Sequence, residues 1–171
     1  MDATDNPTTT TPRLGRYTID TATSSLTFRT RHLFGLLPVR GTFAIRGGTV
    51  DVAEPLADSR LRVEVDAASF HTGNDHRDND IRSAKYLDTD QHPLFTFVAG
   101  QVDTTSVSGT LTACGVSRPA RLSIVRSEVR ADSFTVRATT RVDRTEFGVT
   151  ASRGMAGRHL DLTLEVTCVP A

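Results

Sequence analysis

The chain has 171 residues, of which 20 are basic and 20 are acidic, so its formal net charge at pH 7 is zero. Opposite charges are interleaved, which excludes the long basic stripe of a nucleic-acid-binding surface. No run approaches the roughly 18 apolar residues of a membrane-spanning helix. We therefore predict one domain over residues 15–171, large enough to bury a sizeable core, after a disordered polar tail over residues 1–14.

The N-terminal residues 1–12 are polar and rich in threonine. They lack the basic start and the roughly 7 to 15 apolar residues of a secretory leader, so the sequence predicts a cytoplasmic protein. Cys114 and Cys168 lie far apart and form no Cys-x-x-Cys motif. We expect two free thiols rather than a disulfide.

Apolar and polar residues alternate along most of the chain, which is typical of strands with one dry and one wet face. The clearest case is the segment 157–168, where apolar side chains from Leu160 to Cys168 occupy every second position. The pattern predicts strands at 16–21, 24–32, 39–47, 49–53, 59–69, 93–102, 106–114, 119–129, 133–143 and 157–169, some of them merging. Gly47-Gly48 predicts a tight hairpin.

One stretch, residues 73–92, breaks the alternation. It is polar, and Ile81, Ala84 and Leu87 recur there at helical spacing. We predict one short helix that begins near Asn74 or Asp75 and ends before Pro93. The predicted fold class is therefore all-β, an antiparallel barrel of about eight strands with one short helix covering an end.

The side chains predicted to face the barrel interior are apolar, and no charged residue interrupts them. They are Phe28, Phe43, Ile45, Val63, Val65, Phe97, Leu111, Leu122, Ile124, Phe134, Val136, Leu162 and Leu164. A barrel of about eight strands either fills with its own side chains or holds one slender ligand. Two functions stay open from the residues alone: a channel for one slender apolar ligand, or a protein-interaction module with a filled core.

Motifs of catalysis and metal binding are missing from the sequence. His71, His76 and the acidic residues near them match no HExxH motif and no complete calcium loop. No Gly-x-Ser-x-Gly nucleophile elbow is present. We predict no catalytic residues, no metal site and no cofactor, and hence a non-enzymatic function.

Short motifs follow one another along almost the whole chain. They are Tyr17, Ile19-Asp20, Ser24, Leu26, Phe28 and His32; Gly41 and Phe43; Thr72, Arg77-Asp78, Ile81 to Ser83, Leu87-Asp88, Pro93 and Phe95 to Phe97; Gly109 to Thr112, Gly115-Val116 and Pro119; and Asp143-Arg144 with Glu146 to Gly148. In this order they resemble the YceI-like family of lipocalin-like, polyisoprenoid-binding proteins.

The resemblance implies a lipocalin-like barrel around an elongated apolar channel, usually paired as a homodimer. It implies a bound isoprenoid lipid, polyprenyl or quinone-like, and a role as carrier, reservoir or sensor, with no catalytic machinery established for the family. Without a transmembrane segment, contact with a membrane would be peripheral.

His32, Arg77 and Asp78 are polar residues that the family pattern and the strand prediction place near the helix. We interpret them as a polar mouth, where His32 or Arg77 contacts a quinone or phosphate oxygen. Each has a structural alternative, because Asp78 can accept helix N–H groups or pair with an arginine and the backbone can satisfy His32. The apolar connection at 33–37 is either a lip that meets a membrane or a partner, or a loop folded onto the barrel end.

Overall fold

The structure, a computed structural model, describes residues 11–32, 35–152 and 154–171. Its strands are β1 (Gly15–Ile19), β2 (Ser25–His32), β3 (Leu37–Val52), β4 (Arg60–His71), β5 (Leu94–Val102), β6 (Ser106–Ala113), β7 (Val116–Val129), β8 (Phe134–Asp143) and β9 (His159–Pro170). The helix α1 spans Asp75–Arg82, and 3₁₀ turns cover Leu56–Asp58 and Arg144–Phe147.

The strands pair antiparallel in the order β1-β3-β2-β9-β8-β7-β6-β5-β4, and an additional pairing of β3 with β4 closes the sheet. β1 and β2 share one position in the wall, because both lie between β3 and β9, β2 toward one end and β1 toward the other. The nine strands therefore form a closed barrel that is eight strands around. The predicted antiparallel barrel with one helix is confirmed.

The two ends of the barrel are formed by different connections. The helix end carries the connections β2–β3, β4–β5 with α1, β6–β7 and β8–β9. The far end carries the connections β3–β4, β5–β6 and β7–β8, together with residues 11–14 and the C-terminal residue 171.

The predicted hairpin at Gly47-Gly48 is wrong, because β3 continues through both glycines as one long strand. The register with β4 shifts between Ile45 and Gly47, so the glycines mark a bulge rather than a chain reversal. A Cβ on Gly48 would lie 2.5 Å from the carbonyl oxygen of Arg62 and 2.7 Å from Cδ1 of Ile19. Glycine is needed there because neighbouring strands approach β3 closely.

The helix begins where the sequence predicts, at Asp75. Asn74 caps it, since its side-chain oxygen accepts a hydrogen bond from the backbone N–H of Arg77 at 3.0 Å. The helix ends at Arg82, well before Pro93, and a series of turns leads into β5. This segment covers one end of the barrel.

Phenylalanines fill the barrel beneath α1. The ring centroids of Phe28 and Phe70 lie 5.1 Å apart, and Phe43 lies 5.4 Å from both Phe28 and Phe95. Gly41 makes room for this cluster, because a Cβ there would lie 2.3 Å from Cζ of Phe28. The helix end is therefore closely packed with aromatic rings.

Candidate ligand-binding cavities

Among the described residues, three cavities follow one another along the barrel interior. The far cavity has a volume of about 240 Å³, the middle cavity about 140 Å³ and the helix-end cavity about 70 Å³. Their walls are almost entirely apolar. The barrel interior thus offers a sequence of apolar chambers rather than one uniform channel.

The far and middle cavities meet at Val63, Leu122 and Leu164, whose side chains line both. These residues lie on β4, β7 and β9. Around the closed wall, β7 and β9 are two positions apart, and β4 is three positions from each of them. The three side chains therefore narrow the interior from well-separated directions, and we call them the waist. The middle and helix-end cavities meet at another shared set, which includes Phe43, Leu87 and Leu160.

Nearly all of the predicted interior residues lie in these walls. Phe28 and Phe43 line the helix-end cavity. Phe43, Val63, Val65, Phe97, Leu111, Leu122, Leu162 and Leu164 line the middle cavity. Val63, Leu122, Ile124, Phe134, Val136 and Leu164 line the far cavity. Ile45 is buried in the core and is not among the residues lining these three cavities of the described chain.

Sequence reasoning missed further wall residues, among them Leu87, Phe147, Val149 and Leu160. Leu160 belongs to the alternating pattern of β9 and was recognisable from it. Leu87, Phe147 and Val149 lie in connections at the helix end, where no strand periodicity tells an inward side chain from an outward one. Only the folding of these connections over the barrel end places them in the wall.

His32 ends β2 and lines the helix-end cavity. Its Nδ1 accepts a hydrogen bond from the backbone N–H of Gly157 at 2.9 Å, so the neutral ring carries its proton on Nε2. Burial lowers the pKa of His32 below its ordinary value, and the positive charges of Arg77 and Arg144 add to this effect. His32 is therefore a neutral hydrogen-bond donor at neutral pH.

Asp78 and Arg77 form a network at the start of α1. The carboxylate of Asp78 is 1% exposed and accepts hydrogen bonds from the backbone N–H of Thr72, at 3.0 Å, and from its hydroxyl. Burial by itself would raise the pKa of Asp78, but these bonds and the charges of His71 and Arg82 lower it below its ordinary value. Arg77 also donates to the Thr72 hydroxyl oxygen, at 2.9 and 3.0 Å.

This network ties α1 to the end of β4. Neither Arg77 nor Asp78 is among the residues that line the three interior cavities of the described chain. The structure therefore brings His32 to a cavity wall and places the other two predicted mouth residues within α1, bonded to Thr72. Their contact with a ligand stays a prediction.

Arg144 is a buried charged residue that sequence reasoning did not place in the interior. Its guanidinium donates to the carbonyl oxygens of Gly157 and Val149, both at 2.8 Å, and of Ala156 at 3.4 Å. Its side chain also contributes to the walls of the middle and helix-end cavities. Arg144 thus ties the β8–β9 connection across the barrel end.

Several exposed apolar side chains surround the helix end. Leu36 is 83% exposed, and Leu37 and Met155 are also exposed. Leu37 pairs in register with His32, at the wall of the helix-end cavity. The predicted lip therefore includes exposed leucines, while its residues 33 and 34 lie outside the described residues.

Comparison with known proteins adds a family to this geometry. Residues 17–168 match the YceI-like domain. The chain belongs to the YceI-like family. Protein YceI of Escherichia coli is 29% identical over 150 residues, which cover 81% of this chain and 78% of that protein. A UPF0312 protein of Shewanella baltica is 31% identical over 166 residues, which cover 88% of this chain and 85% of that protein.

Solved structures share the barrel. BcnA of Burkholderia cenocepacia has a TM-score of 0.71 at 17% identity, covering 87% of this chain and 98% of its own. A polyisoprenoid binding domain from Saccharophagus degradans has a TM-score of 0.71 at 15% identity, covering 93% of this chain and all of its own. At these identities the likeness concerns the fold.

The described ranges contain neither a membrane-spanning helix nor a metal-binding cluster. Across residues 11–32, 35–152 and 154–171, no helix is long and apolar enough to cross a membrane. Over the same ranges, no group of three or more His, Cys, Asp and Glu side chains is placed to hold a metal ion.

Proposed function

We propose that this YceI-like protein binds an elongated apolar lipid of the isoprenoid type, polyprenyl or quinone-like, inside the barrel. The observation that carries the proposal is the row of three apolar cavities within a closed wall. Cavities of this kind bury most of a ligand's surface against carbon. The polyisoprenoid binding domain that shares this fold supports the class of ligand.

The energetics of an apolar chain suit such walls. Each buried methylene contributes about 0.8 kcal/mol, while large ligands gain about 0.3 kcal/mol per heavy atom overall. A chain of roughly forty carbons therefore gains at most about 12 kcal/mol, which corresponds to nanomolar binding. Selection then depends on the length and thickness of the chain rather than on hydrogen bonds.

The head group is proposed to lie at the helix end, beside His32. That residue lines the helix-end cavity, and its neutral ring has its N–H on Nε2, a donor that suits a quinone or phosphate oxygen. We expect His32→Ala to weaken binding of a lipid that carries a head group and to leave binding of the matching hydrocarbon unchanged. Arg77→Ala should weaken both lipids equally if Arg77 only holds the helix start.

The proposed role is that of a carrier, reservoir or sensor of the lipid, without catalysis. An enclosed apolar cavity keeps a water-insoluble chain out of solvent, which each of these roles requires. We further propose a cytoplasmic homodimer whose exposed leucines near residue 36 make peripheral contact with a membrane. Light scattering, cell fractionation and vesicle co-sedimentation test these three points separately.

A protein-interaction module with a filled barrel is the second candidate. Exposed apolar side chains such as Leu36 and Val125 favour it, because they offer contact surface outside the barrel. The interior cavities weigh against it, because a module of this kind has no need of empty space in its core.

Organic extraction of the purified protein, followed by mass spectrometry, tests the proposal. We expect a prenyl lipid in a stoichiometric amount. Protein stripped of lipid should then bind a fluorescent prenyl analogue, which is a suitable probe because the chain contains no tryptophan. The absence of both extracted lipid and analogue binding would contradict the proposal and favour the interaction module.

A further inference from the structure

We propose that the waist, Val63, Leu122 and Leu164, is a length filter that decides whether a bound chain stays in the helix-end and middle cavities or also enters the far cavity. This inference rests on the proposed lipid-binding function and deepens it. The observation behind it is that these side chains line both the middle and the far cavity, so a chain that fills both must pass between them.

The waist has one fixed side and two movable ones. Val63 is buried and β-branched, so its χ1 rotamer is strongly restricted. Leu122 and Leu164 are half-buried, are not β-branched and border open space in both cavities, so each has more freedom to change rotamer than Val63. An arriving chain therefore moves the two leucines rather than the valine.

The chambers on the two sides are similar in length along β9. Leu160, Leu162 and Leu164 line the middle cavity, while Leu164, Val166 and Cys168 line the far cavity. Each set covers four residue steps, or about 13 Å of strand at about 3.3 Å per residue. A chain whose head group lies at the helix end, and which already fills the middle cavity, gains further apolar contact only by crossing the waist.

The expected signature is a break in how affinity depends on chain length. While a chain gains wall contact, each added isoprene unit should tighten binding about tenfold, from the gain per heavy atom of a large ligand. At the length that reaches the waist, the added unit must displace the leucines and should yield a smaller gain. Chains long enough to enter the far cavity should again gain about tenfold in affinity for each added isoprene unit.

Leu164→Ala and Leu162→Ala form a matched pair that tests the filter. Both leucines are half-buried on β9, two residues apart, but of the three interior cavities Leu162 lines only the middle one. A series of prenyl alcohols of increasing length is titrated against lipid-free protein by calorimetry. We expect Leu164→Ala to remove the break in the dependence of affinity on chain length. Leu162→Ala should change the affinity for all chain lengths but keep the break.

Leu164→Phe and Leu164→Met extend the test. Phenylalanine should block the waist, so that lengthening the chain beyond the middle cavity yields no gain in affinity and co-purified lipids become shorter. Methionine conserves volume and adds flexibility, so this variant retains the fold if the alanine variant does not, and it should weaken the break. Circular dichroism checks folding in each case.

The outcomes separate the two proposals. If wild-type protein binds prenyl alcohols and all Leu164 variants show the same length dependence as Leu162→Ala, the filter is overturned and lipid binding stands. A wild-type curve without a break also overturns the filter. If wild-type protein binds no prenyl alcohol of any length, lipid binding itself fails, and the filter fails with it.

Discussion

The helix end and the far end of this barrel are built from the same antiparallel wall but are packed differently. At the helix end, phenylalanines stack beneath α1, buried Asp78 ties α1 to the end of β4, and buried Arg144 holds the β8–β9 connection together. The cavity left there has a volume of about 70 Å³. At the far end, mainly aliphatic residues surround a cavity of about 240 Å³.

The difference separates two tasks within one wall. Aromatic stacking and buried hydrogen bonds specify a single arrangement at the helix end, because an unsatisfied charged group there would be costly. Aliphatic side chains around open space at the far end accept lipid chains of varied shape, because they make only non-directional apolar contacts. We therefore expect mutations at the helix end to affect mainly stability, and mutations at the far end to affect mainly ligand length.

Removing an aromatic ring should lower the free energy of unfolding more at the helix end than at the far end, and this is the largest difference that we expect between the two ends. Phe28 is 1% exposed within the aromatic cluster, so Phe28→Ala should lower the free energy of unfolding by about 3–5 kcal/mol. Phe134 already borders the large far cavity, so Phe134→Ala forfeits fewer contacts and should cost less. Urea denaturation followed by circular dichroism measures both. Equal losses would mean that the far end is packed as tightly as the helix end.

Acid should weaken the helix end through Asp78. Because its pKa is lowered in the folded state, its stabilising contribution is complete above the ordinary carboxyl pKa and is lost as the pH falls through the lowered one. At neutral pH we expect Asp78→Asn to cost about 1–3 kcal/mol, because the Thr72 donors lose a charged acceptor.

The stability gap between wild-type protein and Asp78→Asn should then shrink as the pH falls below about 4. Denaturation at a series of pH values measures the gap, and Asp75→Asn, a change of an exposed carboxylate on the same helix, serves as the control. A gap that stays constant down to low pH would mean that Asp78 does not stabilise the fold through its charge.

Bulk added to one chamber should shorten the bound chain. Val136 lines the far cavity and Val65 the middle one, so Val136→Phe and Val65→Phe narrow different chambers. We expect each substitution to lower the free energy of unfolding by less than about 3 kcal/mol, because the new ring fills existing cavity space. Mass spectrometry of extracted lipid should show shorter chains for both. Unchanged chain lengths in both variants would argue against a ligand that runs through the barrel.

Thiol labelling should distinguish the chambers without changing stability. Burial raises the pKa of Cys114, which lines the middle cavity, with a further contribution from the charge of Asp88. Burial raises the pKa of Cys168, which lines the far cavity, to about 12. Both cysteines are free thiols. At mildly alkaline pH we expect slow alkylation of half-buried Cys114 and almost none of Cys168 until the protein is denatured.

Bound lipid should slow the alkylation of Cys114 further, because a chain in the middle cavity would shield the thiol. Mass spectrometry of alkylated peptides, with and without a prenyl alcohol, measures this protection. Unprotected Cys114 in saturated protein would mean that the chain does not occupy the middle cavity.

The sequence predicted most of the wall and little of the ends. Alternation along β9 identified Leu162 and Leu164 as inward residues, because a strand sends successive side chains to opposite faces. The same rule does not apply to Leu87 or Val149, because they lie in connections between strands. The pair Gly47-Gly48 led to the wrongly predicted hairpin, because β-bulges and tight turns both favour glycine.

By itself, the sequence determined an antiparallel barrel with an apolar interior and one capped helix, because strand periodicity, turn residues and helix caps are local properties. Only the tertiary structure decided that the interior is divided. Which side chains from β4, β7 and β9 meet across the barrel depends on the register of every strand in between. The burial of Arg144 likewise depends on carbonyl groups that the β8–β9 connection brings to it after folding.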